Sequence, residues 1–503
     1  MDDNCKPLDT YPVDEWTLTS AFPNKDMTKE YMEIHWENFV TRNDIRQIAR
    51  TAKATHIRVP LGHWIMGDIL GDEPWVDGGW KYFERLVGWC REEGLEVWPD
   101  VHTAPGSQNG FDNSGHLLPS PTCNGWDEIS PNDPANNSES IFSKNVVRSL
   151  KVINDISNAI ARNNMTDVVT GFGVLNEPFV DCNMTVVRKF YDKALSIVRN
   201  NMGEVTSVYI GDMFNATKWN DGWWVDKAHH HDTYLDSHYY HVFDEHPRHL
   251  SPRQHIALVC EKNHRDTDDC CYKDEEKKEI PSKGIKRLIG EWSASFDTLV
   301  CDKLDQVMAG IAVNGTAPEF NRQISPDRQD FLKHFVEAQM VVFEASKGIS
   351  AGWFYWTFKM EGGAFAEWDF LRGIKEGWIP PIPPKNVSSL SLYGTCYDII
   401  FETKDNSSIV HEFPDPSSLN PNNWQGFPID DDVVVSHGAS LIQEPDGTWV
   451  SKQDILDDSN AKKMFLMKNS MAECSFLLLG ILVCIFVYKV KKAKKEDYME
   501  LKN

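Results

Sequence analysis

Basic residues are scarce in this chain. Lysine and arginine number 51 against 75 aspartates and glutamates, and the formal net charge is −24 at pH 7. Nucleic acids are bound through a positively charged surface that neutralises phosphates, so this balance argues against DNA or RNA as a partner. It favours a neutral ligand, and the 18 tryptophans and 25 phenylalanines provide flat surfaces on which sugar rings could stack.

Motifs that specify several other chemistries are missing. The chain contains neither a glycine-rich nucleotide fingerprint nor a G-x-S-x-G nucleophile elbow, and no internal repeat is visible. Three adjacent histidines at His229–His231 suggest a metal site, but in regular structure they could not all face one ion. A polar loop is the better interpretation, and we expect neither a metal nor a cofactor.

Long apolar runs are rare, with one exception near the C-terminus. The uncharged run Cys474–Tyr488 is shorter than the roughly 20 residues of a membrane-spanning helix. Adding Met471–Glu473 and Lys489–Val490, whose charged side chains could snorkel, restores the length. A buried core helix is the alternative, but it would end in a cluster of lysines at the extreme C-terminus. The pattern therefore predicts a transmembrane helix at 471–490 and a basic cytosolic tail at 491–503.

This topology would leave everything before residue 470 outside the cell or in a lumen. Cys260, Cys270 and Cys271 crowd one segment, as disulfides in a surface loop would. A secretory route and a glycoprotein are also favoured by N-x-S/T sequons, at Asn136, Asn164, Asn183, Asn215, Asn314, Asn386 and Asn406. We expect a single-pass type I protein of the cell membrane. A lysosomal, vacuolar or endosomal membrane is the alternative, because Y-M-E-L at 498–501 is similar to a sorting signal.

Short apolar runs alternate with amphipathic stretches from residue 55 to about 360. The runs are typical of buried parallel strands and lie at 55–60, 95–102, 168–177, 207–214, 233–240, 287–292 and 350–359. Helical patterns between them cover 80–94, 141–162, 186–202 and 328–346, with Gly94 placed as a C-cap. This alternation predicts a parallel sheet covered by helices.

One strand is missing from a complete (β/α)8 TIM barrel. The deficit lies before residue 55, where the segment 11–22 is typical of a loop that follows a first strand. The opening residues M-D-D-N-C-K-P-L-D-T also lack the apolar region of a signal peptide. We therefore predict a TIM-barrel domain over 11–380 whose first strand is missing or degenerate at an incomplete N-terminus. The Asn-, Asp-, Ser- and Pro-rich chain over 381–470 predicts a polar stalk or extension.

Polar or aromatic residues stand at the C-terminal ends of the predicted strands. They are Arg58, His102, Glu177, His238, Tyr240, Glu291 and Trp356. Each could be a capped strand end, but in a barrel these ends share the face on which active sites are built. Two glutamates on opposite sides of that face, Glu177 and Glu291, are the equipment for glycoside hydrolysis. Asn176 could donate to a sugar hydroxyl, and Arg58, if near Glu291, would keep that carboxylate ionised.

Several longer motifs carry a resemblance to a known family. They are H-I-R-V-P at 56–60, H-T-A-P-G-S-Q-N-G-F-D-N-S-G at 102–115, N-E-P at 176–178, G-E-W at 290–292 and Y-W-T-F-K at 355–359. Together they resemble glycoside hydrolase family 5, and within it the exo-β-1,3-glucanase (glucan 1,3-β-glucosidase) branch. The resemblance covers roughly residues 14–380 and is most specific over the stretch 102–115.

The resemblance implies a retaining double displacement that releases glucose from β-1,3-glucan. Glu177 would be the general acid/base and Glu291 the nucleophile, which Arg58 would orient. Asn176 would bind the 2-OH of the sugar at the −1 site, which His102, His238 and Tyr240 would line. Tyr240 would also bond Glu291, and Trp356 would lie beneath the −1 sugar. Phe111 and Phe243 would clamp the +1 sugar, and Glu15 would contact the non-reducing end.

The sequence also departs from the family pattern. The usual D-H-H-H-Y is D-S-H-Y-Y at 236–240, and a long cysteine-containing segment over 241–285 follows it. Two alternatives therefore stay open. The same fold could act on a β-1,6-glucan, a glycolipid or a small glucoside. Less favoured is a non-catalytic glucan-binding surface protein, because both carboxylates and their expected neighbours are present.

Overall fold

The computed structural model describes the barrel region and only scattered parts of the chain beyond it. The described residues are 12–129, 141–219, 232–243, 252–263, 285–296, 324–345, 350–360 and 366–380, with two short strands at 441–443 and 449–451 and isolated positions between these ranges. The predicted membrane helix at 471–490, the tail at 491–503, Cys270, Cys271 and His229–His231 lie outside them. None of the described helices is both long enough and apolar enough to cross a membrane.

Seven parallel strands form one sheet, and their order in the sheet is their order in the sequence. The strands are β1 His56–Leu61, β2 Glu96–Val101, β3 Gly171–Gly173, β4 Ser207–Gly211, β5 Thr233–Tyr239, β6 Lys286–Trp292 and β7 Ser350–Trp353. Pairing is in register along β1 and β2, where His56 lies opposite Glu96 and Leu61 opposite Val101. This is the strand sequence of a (β/α)8 barrel with one strand missing among the described residues.

Helices connect the strands and cover the sheet. They are α1 Glu15–Ser20, α2 Lys25–Asn38, α3 Arg42–Gln47, α4 Trp80–Glu93, α5 Asn124–Asp127, α6 Lys144–Arg162, α7 Met184–Met202, α8 Pro252–Ala257, α9 Pro326–Ala345 and α10 Phe370–Glu376. The four helices predicted from periodicity correspond to α4, α6, α7 and α9, each within three residues at either end. Gly94 ends α4 with a left-handed φ of 72°, a conformation that glycine adopts without a Cβ penalty.

The helix α6 shows why these segments fold as they do. Ser143 precedes it and its side chain accepts a hydrogen bond from the backbone N–H of Val146, which caps the first turn. Val152, Ile156 and Ile160 then recur every four residues and are fully buried against the sheet. Burial of each such side chain contributes roughly 1.5–3 kcal/mol, so packing rather than helix propensity holds α6 in place.

The sheet is open between β1 and β7, which do not pair with each other in the described residues. No strand precedes β1 among the described residues, and residues 1–11 lie outside the description. The segment 11–22, predicted as a loop, contains the helix α1. Asp14 begins this helix through a capping box with Thr17, in which each side chain bonds the other's backbone N–H. The D-x-x-T spacing could have indicated the helix.

Two disulfides within the described part of the chain fasten loops to the barrel. Cys123–Cys182 joins the loop after β2 to the loop after β3, and Cys260–Cys396 joins the region after α8 to the chain beyond 380. Beyond 380, the backbone N–H of Ser389 also donates to Glu344 of α9 at 3.0 Å. The region predicted as a stalk therefore begins with residues that contact the barrel. Further on, β8 Leu441–Gln443 and β9 Trp449–Ser451 form an antiparallel pair.

Candidate active site

Large interior side chains leave no room for a Cβ at the two glycines of β3. A Cβ on Gly171 would lie 2.4 Å from the ring of Trp98, and one on Gly173 would lie 2.5 Å from the ring of Tyr209. The strand must therefore be glycine-rich to pass these aromatic rings, and it delivers Asn176 and Glu177 to the rim of the barrel. The backbone at Glu177 is left-handed, with φ of 44°, which is uncommon for a residue with a side chain.

The loop after β2 holds this unusual backbone. The side chain of Gln108 donates to the backbone oxygens of both His102 and Asn176 at 2.9 Å. Asn109 donates to the backbone oxygen of Glu177 at 3.0 Å. These amides satisfy carbonyl groups that have left the strand ladder, so the loop over 102–115 fixes the direction in which the Glu177 side chain points.

Both carboxylate oxygens of Glu177 have partners. Oε1 lies 2.6 Å from Nδ1 of His238, and Oε2 accepts a hydrogen bond from Nδ2 of Asn113 at 2.5 Å. Asn113 is a site residue that the sequence reasoning missed. The signal was available, because Asn113 belongs to the motif over 102–115, but nothing in the local pattern shows that this loop folds back onto Glu177.

Glu291 ends β6 in a densely charged position. Nη1 of Arg58 donates to its Oε1 at 2.6 Å, and the hydroxyl of Tyr240 donates to its Oε2 at 2.7 Å. Burial alone would raise the pKa of Glu291. The positive charges of His238 and Arg58 outweigh burial and lower that pKa from 4.5 to about 2. Both contacts that the sequence suggested for Glu291, with Arg58 and Tyr240, are present.

The two glutamates face each other across a short gap. A carboxylate oxygen of Glu177 and one of Glu291 lie within 4.8 Å of each other and of a ring nitrogen of His238. Retaining glycosidases keep their two carboxyl groups about 5–5.5 Å apart, whereas inverting enzymes need about 6.5–9.5 Å to admit a water molecule. The close approach of one oxygen from each carboxylate is compatible with the closer, retaining arrangement.

The same three residues are close enough to bind a metal ion, yet their surroundings oppose it. Arg58 and Tyr240 already donate to both oxygens of Glu291, and the guanidinium of Arg58 would repel a cation. A second cluster, Cys123 with Asp181 and Cys182, has its sulfurs joined in a disulfide. Neither of these clusters in the described residues is a convincing metal site.

Arg58 connects the nucleophile candidate to the neighbouring strands. Its Nη2 donates to Oδ2 of Asp100 at 3.0 Å and to Oδ1 of Asn176 at 2.7 Å. The side chain of Arg58 is buried, which alone would lower its pKa, but the carboxylates of Asp100 and Glu291 raise that pKa. Oδ1 of Asn176 accepts from Arg58, whereas its buried Nδ2 has no hydrogen-bond partner among the described residues.

Aromatic rings line the floor and the entrance of the pocket. His102 stacks on Trp356 with ring centres 5.4 Å apart, and Asp100 accepts from Nδ1 of His102 at 2.7 Å. At the entrance, Phe111 contacts Phe179 and Phe214 edge-on. On another part of the cavity wall, Phe243 contacts Tyr240 and Trp368. Phe179, Phe214 and Trp368 were not anticipated from the sequence, which gives no local signal for them.

Glu15 lies at the start of α1 and also lines this cavity. Burial raises its pKa from 4.5 to about 8, while a hydrogen bond with Trp64 opposes the shift and the nearby Asp14 adds to it. Asp112, on the same cavity, has its pKa raised by burial to about 6. The cavity holds about 2660 Å³, because it continues from the rim to the open side between β1 and β7. All the predicted site residues line it except Asn176, which lies just behind Glu177.

Comparisons with known proteins agree with this geometry. The family model for cellulase (glycosyl hydrolase family 5) matches residues 21–325. A glucan 1,3-beta-glucosidase of Yarrowia lipolytica is 31% identical over 382 residues, which cover 73% of this chain and 81% of the relative. A glucan 1,3-beta-glucosidase of Blumeria graminis is 30% identical over 395 residues, covering 75% and 82%.

Among solved structures, the crystal structure of AoRut superposes with a TM-score of 0.50 at 17% identity. The superposition covers 73% of this chain and 88% of that one. At this level of identity the likeness concerns the fold alone.

Proposed function

Because the chain belongs to glycosyl hydrolase family 5, whose fold is the (β/α)8 barrel, we propose that it is a retaining glucan 1,3-β-glucosidase that releases glucose from β-1,3-glucans. The observation that carries this proposal is the pair Glu177 and Glu291, held within 4.8 Å but in different electrostatic surroundings. The Yarrowia lipolytica and Blumeria graminis relatives are named for the same activity, and their alignments with this chain cover 81% and 82% of their own length. Their names support the choice of substrate.

In the first step Glu291 attacks the anomeric carbon. Its low pKa keeps it ionised, and the bonds from Arg58 and Tyr240 hold its oxygens in one orientation. Glu177 gives its proton to the departing glycosidic oxygen, so that the C–O bond breaks as the glycosyl–Glu291 ester forms. Nδ2 of Asn176 donates to the 2-OH of the sugar, a contact that strengthens in the transition state.

In the second step Glu177, now a carboxylate, removes a proton from water. The hydroxide attacks the anomeric carbon from the side that the leaving group vacated, glucose is released with retained configuration, and Glu291 regains its charge. Trp356, stacked on His102, supplies the platform beneath the sugar, and Phe111 and Phe243 contact the next sugar toward the entrance. Glu15 closes the end of the pocket that receives the non-reducing end of the glucan. A pocket closed there accounts for exo action, the release of glucose from the chain end.

Hydrolysis of laminarin by the full-length chain tests the proposal, beside Glu177→Gln and Glu291→Gln. We expect both variants to lose several orders of magnitude in kcat, because each carboxylate carries a chemical step. Variants that hydrolyse laminarin as fast as the parent would refute the assignment of the two residues. An inverted anomeric configuration in the first product would refute Glu291 as nucleophile. Parallel assays on β-1,6-glucan, a glucosylated lipid and an aryl glucoside decide between substrates.

Membrane attachment forms a separate part of the proposal. The apolar segment over 471–490, followed by lysines, would anchor the protein with the barrel outside the cell or in a lumen. Expression of the full chain beside a chain ending at residue 470 tests this. We expect the full chain to resist alkaline extraction from membranes and the shorter one to be released. Release of both would contradict the anchor without affecting the proposed reaction.

A further inference from the structure

His238 lies between the two glutamates and has a carboxylate against each ring nitrogen. Nδ1 is 2.6 Å from Oε1 of Glu177, and Nε2 is 3.2 Å from Oδ2 of Asp236 on the same strand. When Glu177 and Asp236 are both ionised, each carboxylate can only accept, so the imidazole donates at both nitrogens. This is the imidazolium form, and it is the state of the site before Glu177 takes up its proton.

Asp236 is unusually well placed for this contact. Its side chain is 4% exposed, and it reaches His238 two residues later along β5, on the same face of the strand. Room for it comes from Gly290 on the neighbouring strand β6, where a Cβ would lie 2.1 Å from Oδ1 of Asp236 and 2.5 Å from Oδ2. The glycine of the G-E-W motif thus makes space for a carboxylate beneath the catalytic pair.

From this geometry we infer that Asp236 is a positioning residue that fixes His238 as an imidazolium, and that His238 stores the proton used by Glu177. The inference rests on the proposed function, because a proton store matters only if Glu177 acts as an acid. Asp236 itself makes no contact with either glutamate in the described residues. Its effect passes through His238.

The proton transfer balances over one turnover. The bond from Nδ1 of His238 to its proton breaks, an O–H bond forms at Oε1 of Glu177, and His238 becomes neutral while its Nε2–H still donates to Asp236. Glu177 then gives this proton to the leaving oxygen. In the second step water returns one proton to Glu177, and that proton moves back to Nδ1 when the site is vacant. No other reactant is needed.

The charges around His238 support this role. They are Glu291 of β6, Asp236 of its own strand, Glu177 after β3, Asp212 after β4, and Arg58 of β1, which also interacts with Asp236. Burial would lower the pKa of His238, but the three carboxylates Glu291, Asp236 and Glu177 together raise it well above the ordinary value. Removal of the Asp236 charge would therefore lower it.

Asp236→Asn tests the inference with an almost isosteric change. We expect kcat at neutral pH to fall about tenfold to a hundredfold, with KM unchanged because Asp236 touches no sugar. The loss should grow as pH rises, since His238 would lose its stored proton at a lower pH than in the parent. The alkaline limb of the kcat profile therefore moves to lower pH. A loss that is equal at every pH would indicate a merely structural role and overturn the inference.

Gly290→Ala is the second variant, because its methyl group would displace Asp236 without altering any charge. We expect the same shift of the alkaline limb. The matched control is Gly88→Ala in α4, where a Cβ would have open space around it. This control should keep the parent profile. A Gly290→Ala profile that matches Gly88→Ala would contradict the role of Asp236.

A readout without substrate separates this inference from the proposed function. The ring nitrogens of His238, identified by their loss in His238→Gln, can be followed by NMR in the unliganded full-length protein. Both should be protonated at neutral pH in the parent, and the titration should move to lower pH in Asp236→Asn. An unshifted titration in an active protein would overturn only the inference. If the titration is shifted in Asp236→Asn but the parent protein hydrolyses no β-glucoside, only the proposed function is contradicted.

Discussion

Arg58→Met removes a buried charge that holds Glu291 ionised, while the side chain keeps much of its length. The pKa of Glu291 is about 2 in place of 4.5, which at about 1.4 kcal/mol per unit corresponds to roughly 3 kcal/mol in favour of the carboxylate. After His238, Arg58 contributes most of this stabilisation. Its loss should raise the pKa of Glu291 toward or above the ordinary value. Glu291 would then take up a proton at a higher pH than in the parent.

The sign of the effect on activity and stability follows from the direction of the shift. A carboxyl group whose pKa is lower in the folded protein contributes stability above the unfolded pKa of 4.5, and this contribution is lost as pH falls through about 2. The acid limb of kcat/KM should therefore move to higher pH in Arg58→Met. At neutral pH we expect a fall of about a hundredfold or more, as when one buried donor to a reacting group is removed.

The measurement is the pH profile of kcat/KM on an aryl β-glucoside, from neutral pH down to the acid limit of folding. Arg148→Met is the matched control, because Arg148 also forms ion pairs, partly buried ones with Asp68 and Glu73, but does not line the cavity. It should lower the melting temperature and leave the pH profile in place. An acid limb in Arg58→Met that coincides with that of the parent would refute the electrostatic reasoning.

Two other perturbations separate binding from stability. Phe243 is 50% exposed, so Phe243→Ala should leave the melting temperature unchanged and raise KM for laminarin more than for an aryl glucoside; an equal effect on both substrates would contradict a role at the +1 site. Replacing Cys123 and Cys182 by serine opens a disulfide that spans 59 residues, which should destabilise the folded state by about 4 kcal/mol in chemical denaturation. A midpoint equal to that of the parent would show that this link does not constrain the unfolded chain.

The sequence predicted most strands and helices because their signals are local. Apolar runs of strand length between amphipathic stretches specify buried parallel strands and covering helices wherever they occur. The residues at which strands and helices begin and end were harder to predict from the sequence. The run at 168–177 was expected to be a strand, but only Gly171–Gly173 is one. The backbone leaves the ladder before Asn176, and its left-handed turn at Glu177 depends on Gln108 and Asn109, which lie in another loop.

The same distinction applies to the site. Glu177 and Glu291 could be found from strand ends, since all strands of a barrel end on one face. Arg58 was also expected at a strand end but is the third residue of the six in β1, and its side chain reaches Glu291 from there. Asn113 could not be assigned a role, because its bond to Glu177 requires a loop that folds over the rim. Phe214 was missed for a related reason: it ends the run predicted as a strand over 207–214, but β4 stops at Gly211 and the Phe214 ring contacts Phe111 of another loop. Contacts between loops depend on how the whole barrel folds, so a local sequence pattern does not predict them.

The buried charged residues beneath the barrel rim reduce the stability of the fold. The proposed reaction explains their presence better than stability does. Apolar side chains would fill the space held by Arg58, Asp100 and Asp236 with no desolvation penalty, and a buried ion pair often adds nothing to stability. Two strands nevertheless carry an aspartate two residues before a histidine, as D-V-H at 100–102 and D-S-H at 236–238, and each aspartate bonds its histidine. Of those histidines, His102 stacks on Trp356 and His238 lies between the two glutamates. The buried carboxylates therefore fix the orientation of two imidazoles at the site of the proposed reaction.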